Sequence, residues 1–304
     1  MPCHALTLLT LTLALACSSA GPITPTDPPG GGGDVTTPFP MGRMGSGPST
    51  YKGLPLALVN HADPVVTPVD GVVGVVCIGM SNGNQECAEW IQQLAGAWSA
   101  EVSPAVRVVN CAVGGHAIEK WIDPAYDATL WHACLTHRLP EAGVRPDQVR
   151  VIWHKAASQF ATAPGGGALP PYPSPESDYH DFIGYLDQFA ARVPTFFPAA
   201  QAVYTSSRSY GGFSSNPGRG EPLSYEEGHA LNSWLASHAT VAGVWHGWGA
   251  YLWAPACDSG VVPDGNCYIR SDFQSDGVHP SPTGRVKIAR LVHEGFLQTS
   301  WYRR

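Results

Sequence analysis

Ser81 stands in Gly79-Met80-Ser81-Asn82, directly after a run of mostly β-branched apolar residues at 72–78 (VVGVVCI). A serine at the turn from a strand into a helix has an exposed hydroxyl, and the helix N-terminus offers backbone N–H groups to a developing oxyanion. Taken alone, the same serine serves equally well as a helix cap. A hydroxyl attacks efficiently only when a base takes its proton, and an imidazole does so when a carboxylate holds its other ring nitrogen. The segment Ser275-Asp276-Gly277-Val278-His279-Pro280 carries both groups in one short loop near the C-terminus. Pairing them there costs little ordering entropy. Between the two sites, Asn110-Cys111-Ala112-Val113-Gly114-Gly115-His116 follows a second apolar run. Paired glycines let a backbone N–H come close to a ligand. The chemistry this set predicts is attack of a serine oxygen on a carbonyl carbon, with His279 as base and Asp276 orienting it.

These residues all follow apolar runs, so the elements before them decide whether they meet. Runs at 72–78, 105–111, 149–153, 202–205 and 241–248 read as strands, the first two rich in valine. Cys87, Trp90, Ile91, Leu94 and Trp98 recur at helical spacing, and 181–191 and 226–236 also read as helices. A last helix has Pro282 in its first turn and Val286, Ala289, Val292 and Phe296 along one stripe. Strands alternating with helices predict an α/β fold with a central parallel sheet between two helical layers. In such sheets reactive groups gather at the carboxyl ends of the strands.

The 304 residues include 44% hydrophobic ones, enough for a substantial core. Only 13% are charged, about half the ~25% of ordinary soluble chains. The formal net charge is -7 and no Lys/Arg cluster occurs, which excludes nucleic acid and an anionic membrane surface as partners. Residues 6–16 form a Leu/Ala/Thr run too short to span a membrane, which predicts an export signal over residues 1–17. It reads two ways, as a signal cut away or as a lipoprotein signal that leaves a lipid anchor on Cys17. A Pro- and Gly-rich tether over residues 18–45 and one catalytic domain over 46–304 would follow. The Gly30 to Gly33 run has no Lys-Ser/Thr after it and is not a phosphate loop. Six cysteines then lie in the mature chain: Cys77, Cys87, Cys111, Cys134, Cys257 and Cys267. An even number in an exported chain predicts disulfides, and Cys257 with Cys267 is the local pair. No metal-ligand spacing occurs among the cysteines and histidines, so neither metal nor cofactor is expected.

The combination of Gly79-Met80-Ser81-Asn82, Gly115 and Asp276-x-x-His279 resembles the SGNH (GDSL-like) hydrolase superfamily. Those enzymes place a nucleophilic Ser in the first block, a Gly in the second, an Asn in the third and Asp-x-x-His in the last. The chain is similar to a bacterial exported branch of it in Gln85-Glu86, in Trp153-x-Lys155-x-Ala157, and in Ser206-Ser207-Arg208-x-Tyr210-Gly211-Gly212. Further matches are Glu221-Pro222-x-x-Tyr225-Glu226-x-Gly228, Gly249-x-Tyr251-Leu252-Trp253 and Asp276-Gly277-x-His279-Pro280-Ser281. The resemblance covers about residue 48 to the end. It implies a flavodoxin-like three-layer α/β/α fold and metal-free hydrolysis of short acyl esters on small molecules or glycans. Ser81 would be the nucleophile, His279 the base, Asp276 its partner, and Ser81 and Gly115 the oxyanion donors. One position departs: where the branch reads Trp-x-Lys-x-Ala-Asn, this chain ends the block with Ser158, a shorter third donor. Loss of one such donor lowers rates by roughly 10²–10³.

The remaining candidates each carry a plainer reading. Asn82 and His116 are expected to line the pocket, although a solvated loop suits His116 equally. His154 and Lys155 would contact a polar substrate or, for Lys155, pack buried against Trp153. Arg208 would pair with a structural carboxylate or with a substrate acid. Trp245, Trp248, Tyr251 and Trp253 suit sugar stacking, or a core.

Overall fold

The structure, a computed structural model, describes residues 50–51, 54–55, 58–155, 157–159, 161–257 and 267–304. The expected signal, Cys17, the tether and the turn between Cys257 and Cys267 lie outside the described residues. In chain order the principal elements are β1 (Val73–Ile78), α1 (Ser81–Ala95), β2 (Val106–Asn110), α2 (Ile118–Ile122), β3 (Val149–Lys155) and α3 (Asp178–Phe196). There follow β4 (Ala202–Ser206), α4 (Leu223–Leu235), β5 (Thr240–Val241), β6 (Val244–Trp248) and α5 (Pro282–Phe296).

Strand β1 is buried along its whole length, as a strand covered on both faces must be. Its side chains alternate between two cores. Val73, Val75 and Cys77 pack with Trp90, Ile288, Val292 and Phe296, whereas Val76 and Ile78 pack with Trp121, Phe182, Phe189, Leu231 and Trp234. Helices α1 and α5 therefore cover one face, and α2, α3 and α4 the other. The sheet runs β2-β1-β3-β4-β6-β5, with every neighbouring pair parallel except the last. Its five parallel strands have the 2-1-3-4-5 order of a flavodoxin-like α/β/α sandwich. Order reverses beside β1, so the ends of β1, β2 and β3 open onto one crevice.

Two local expectations change. The run at 241–248 is a hairpin rather than one strand, because Ala242 and Gly243 adopt φ values of 48° and 84° and turn β5 back onto β6. Trp98 lies beyond the end of α1 and stacks on His293 at 4.4 Å instead of continuing the helical stripe. Trp90 does hold α1 in place. It is buried, stacks on Phe296 of α5 at 5.2 Å and donates from Nε1 to the Tyr302 hydroxyl at 2.9 Å.

The six cysteines among the described residues are paired: Cys77 with Cys87, Cys111 with Cys134, and Cys257 with Cys267. Each bridge sits beside one of the blocks read from the sequence. The first brackets Ser81, the second begins the Gly114-Gly115 loop, and the third precedes the Asp276 loop. Closing loops of 10, 23 and 10 residues contributes about 3 kcal/mol apiece through the unfolded chain. No helix among the described residues is long and apolar enough to cross a membrane.

Candidate active site

Ser81 is the first residue of α1, and no side chain caps that helix at Met80. The first-turn N–H groups of α1, having no carbonyl one turn back, face outward with the partial positive charge of the helix end. The Asp276 loop reaches this point from the far end of the chain. Ser81 Oγ donates to His279 Nε2 at 2.8 Å, and His279 Nδ1 donates to Asp276 Oδ2 in a very short contact. Asp276 Oδ1 accepts from the amides of Val278 and His279, both at 3.0 Å. Burial acts to raise the Asp276 carboxyl, but these two amides and the His279 ring outweigh it and hold the group down at about 2. Asp276 is thus an anion at any working pH, fixing the tautomer that leaves Nε2 free to accept a proton.

The loop is braced from several sides. Gly277 has φ 70° in the tight turn between Asp276 and His279. Arg270 donates to the carbonyls of Phe273, Gln274 and Ser275 just upstream. Asn82 Nδ2 donates to the Val278 carbonyl at 2.9 Å, tying the loop to α1. Asn82 lines the neighbouring cleft, but this donor is already engaged.

The Gly114-Gly115 loop lies against the same helix. Asn84 Nδ2 donates to the Ala112 carbonyl at 2.6 Å, Asn110 Nδ2 to the Asn84 carbonyl at 2.8 Å, and the Val113 amide to the Gly79 carbonyl at 3.0 Å. A Cβ on Gly114 would lie 3.9 Å from Ser81 Cβ, so this backbone runs beside the nucleophile. Gly115 has φ 73° and is exposed. Its carbonyl accepts from Lys120 Nζ at 2.9 Å, which orients the peptide. His116 is partly exposed and is held to the loop, its Nδ1 donating to the Gly114 carbonyl at 2.8 Å.

Two expected site residues are placed otherwise, and a third, Lys155, takes its buried option. Ser158 is 2% exposed, and its hydroxyl faces the buried Asp178 carboxyl, off the line of a regular hydrogen bond, rather than the cleft. Its amide donates to Glu227 Oε1 at 2.8 Å and its carbonyl accepts from Arg208 at 3.3 Å. These backbone bonds turn the side chain inward, so it is not a third donor. His154 is buried, stacks on Phe189 at 4.0 Å, and is pushed down to about 3 by desolvation and by His246. It stays neutral in the core and meets no substrate. Lys155 reaches the cleft wall, but its ammonium is buried against Glu86. Desolvation lowers its pKa while Glu86 opposes the shift.

Arg208 takes the structural option, pairing with Glu227 at 3.2 Å. Burial pushes the Glu227 carboxyl well up, and Arg208 opposes that. Trp248, Tyr251 and Trp253 are core residues rather than a sugar platform, and the partly buried Trp245 packs on Tyr204 at 4.9 Å.

A half-open cleft lies next to the nucleophile, walled by Met80, Asn82, Val278, Arg208, Ser209 and Arg219 among others. Sequence reading had no signal for Ser209 or Arg219, which sit in a Gly-, Ser- and Pro-rich loop, nor for Asn84 and Arg270, whose roles are to hold backbone.

No family model and no curated protein matches this chain. Among solved structures it is similar to an acetylxylan esterase from Geobacillus stearothermophilus, a catalytic mutant, at 13% identity over 76% of this chain and 96% of that one, with a TM-score of 0.44. It is also similar to a GDSL-like lipase from Bacteroides thetaiotaomicron at 11% identity, over 77% of this chain and 92% of that one, with a TM-score of 0.41.

Proposed function

We propose that the protein is an exported serine esterase of the SGNH type that removes short acyl groups, acetyl foremost, from carbohydrate. The observation that carries this reading is the relay from Ser81 Oγ through the His279 ring to Asp276, assembled by segments 198 residues apart. In this reading His279 takes the Ser81 proton as the oxygen attacks the ester carbonyl. The negative charge that forms is met by the N–H groups of Ser81 and Gly115. His279 then hands the proton to the leaving alcohol, and water repeats the cycle on the acyl-enzyme. Asp276 stays ionised throughout and stabilises the imidazolium.

A polar alcohol is favoured over a lipid because Ser209 and Arg219, without partners among the described residues, line the cleft wall. Export is supported by the Leu/Ala/Thr run and by three disulfides, which persist in oxidising compartments. Release of p-nitrophenol from its acetate, butyrate and octanoate tests the reading. Acetate should be the preferred ester, and Ser81→Ala should lower its hydrolysis at least about 10³-fold with the fold intact. An octanoate preference would move the substrate class to lipids, and no turnover of any ester would sink the proposal.

A further inference from the structure

Of the three cations on the cleft wall, two are already neutralised. Lys155 is held by Glu86 and Arg208 by Glu227. Arg219 ends the short turn Pro217–Arg219 and is half-buried. Its guanidinium has no hydrogen bond or ion pair with any described residue, although it faces the cleft. The nearest acid in sequence, Glu221, is turned away and accepts from the Gly211 amide at 2.8 Å and from Trp253 Nε1 at 2.9 Å. Ser209 lines the same cleft, is only 7% exposed, and its hydroxyl has no hydrogen-bond partner among the described residues.

Two donors without partners among the described residues, one of them charged, thus face one cleft whose wall holds no described carboxylate. In a chain of formal net charge -7 such a wall needs a local cause. A guanidinium with a neighbouring hydroxyl matches an anion of two or three oxygens, because charge-assisted bonds to a planar carboxylate use its fork.

We infer that this cleft receives the alcohol portion of the ester and binds a carboxylate on it, with Arg219 as counter-ion and Ser209 as second donor. The substrates are then acyl esters of acidic alcohols, with uronic-acid sugars as the fitting chemical class. The inference rests on the esterase reading above and names its substrate.

The test compares acetate release from an O-acetylated methyl glucuronoside with release from its uncharged carboxamide. The acetyl group is the same in both, so the ratio of kcat/KM reads the charge alone. The acid should be preferred by about 10-fold or more, the range of a hydrogen-bonded charge. Arg219→Ala should bring the ratio close to one, and Arg219→Lys should keep part of it. A wild-type ratio near one, or a ratio unchanged in Arg219→Ala, overturns the inference. Calorimetric titration of Ser81→Ala with methyl glucuronoside and its carboxamide reads the subsite without turnover. Tighter binding of the acid, lost in the Ser81→Ala, Arg219→Ala double variant, upholds the subsite even if no ester is cleaved. Equal binding of the two, with neutral esters still hydrolysed, ends the subsite and leaves the esterase standing.

Discussion

Gly277→Ala should disable the site through one added methyl group. A Cβ at this position would lie 1.8 Å from the Phe213 carbonyl oxygen, 2.4 Å from its carbon and 2.9 Å from the Ser214 amide nitrogen. That is about 1.6 Å short of ordinary contact with backbone atoms that have no rotamer to escape into. The φ of 70° adds a left-handed penalty of about 1–2 kcal/mol for any residue with a Cβ. With about 1–3 kcal/mol of overpacking, the total is roughly 2–5 kcal/mol, or a Tm lower by several degrees. The turn must move to accept the methyl, and His279, two residues on, moves with it. Its Nε2 now stands 2.8 Å from Ser81 Oγ, and a 1 Å misplacement costs about 10² in rate. Gly143→Ala, away from the site, is the control. It has a similar φ of 65° but nothing within 4 Å of its Cβ, so it should bear only the left-handed cost of about 1–2 kcal/mol. Ester hydrolysis and thermal melts of the two variants give the answer. Equal losses in both, or a Gly277→Ala protein with wild-type kcat/KM, would refute the steric argument.

Ser158→Ala should leave kcat/KM within about threefold of wild type, since its hydroxyl faces Asp178; a loss approaching the ~10² of an oxyanion donor would return it to the site. Lys155→Met leaves Glu86 buried and uncompensated, so it should lower stability by about 3–5 kcal/mol in denaturant titration, and adding Glu86→Gln should recover much of it. The Asp276 carboxyl is depressed from 3.8 to about 2, so its contribution to stability is complete above pH ~4 and is lost as pH falls toward 2. Acid unfolding of Asp276→Asn should accordingly be less steep than wild type across that window, and superimposable curves would show that the carboxylate is not specially held in the fold.

The strands that lead to Ser81 and carry Trp153 were legible because a strand buried on both faces must be continuously apolar, and the half-buried edge strand β2 before Gly115 because of its β-branched valines. The relation between Ser81 and the Asp276 loop was legible for a different reason: parallel α/β sheets bring strand ends together whatever the distance along the chain. The hairpin at 240–248 was hidden because an Ala-Gly turn lacks the Asn-Gly or Asp-Gly signature of its kind. Position misplaced His154, and the family resemblance misplaced Ser158. They follow or end β3 as catalytic residues would, yet what decides their direction is a set of buried partners, Glu227, Asp178 and Phe189, contributed by α3 and α4. The Cys77–Cys87 and Cys111–Cys134 pairs needed the packing of α1 and of the segment after α2, which spacing does not encode. Arg219 was silent because its meaning lies in what it lacks, a neighbouring carboxylate.

Covalent labelling tests the central claim most directly. The protein is treated with a fluorophosphonate, which phosphonylates only an activated serine, and its intact mass and peptide map are recorded. One adduct per chain on the peptide carrying Ser81 is the expected result, with labelling abolished in Ser81→Ala and slowed at least about 10²-fold in His279→Ala. No adduct, or an adduct on another residue that survives Ser81→Ala, would contradict the account.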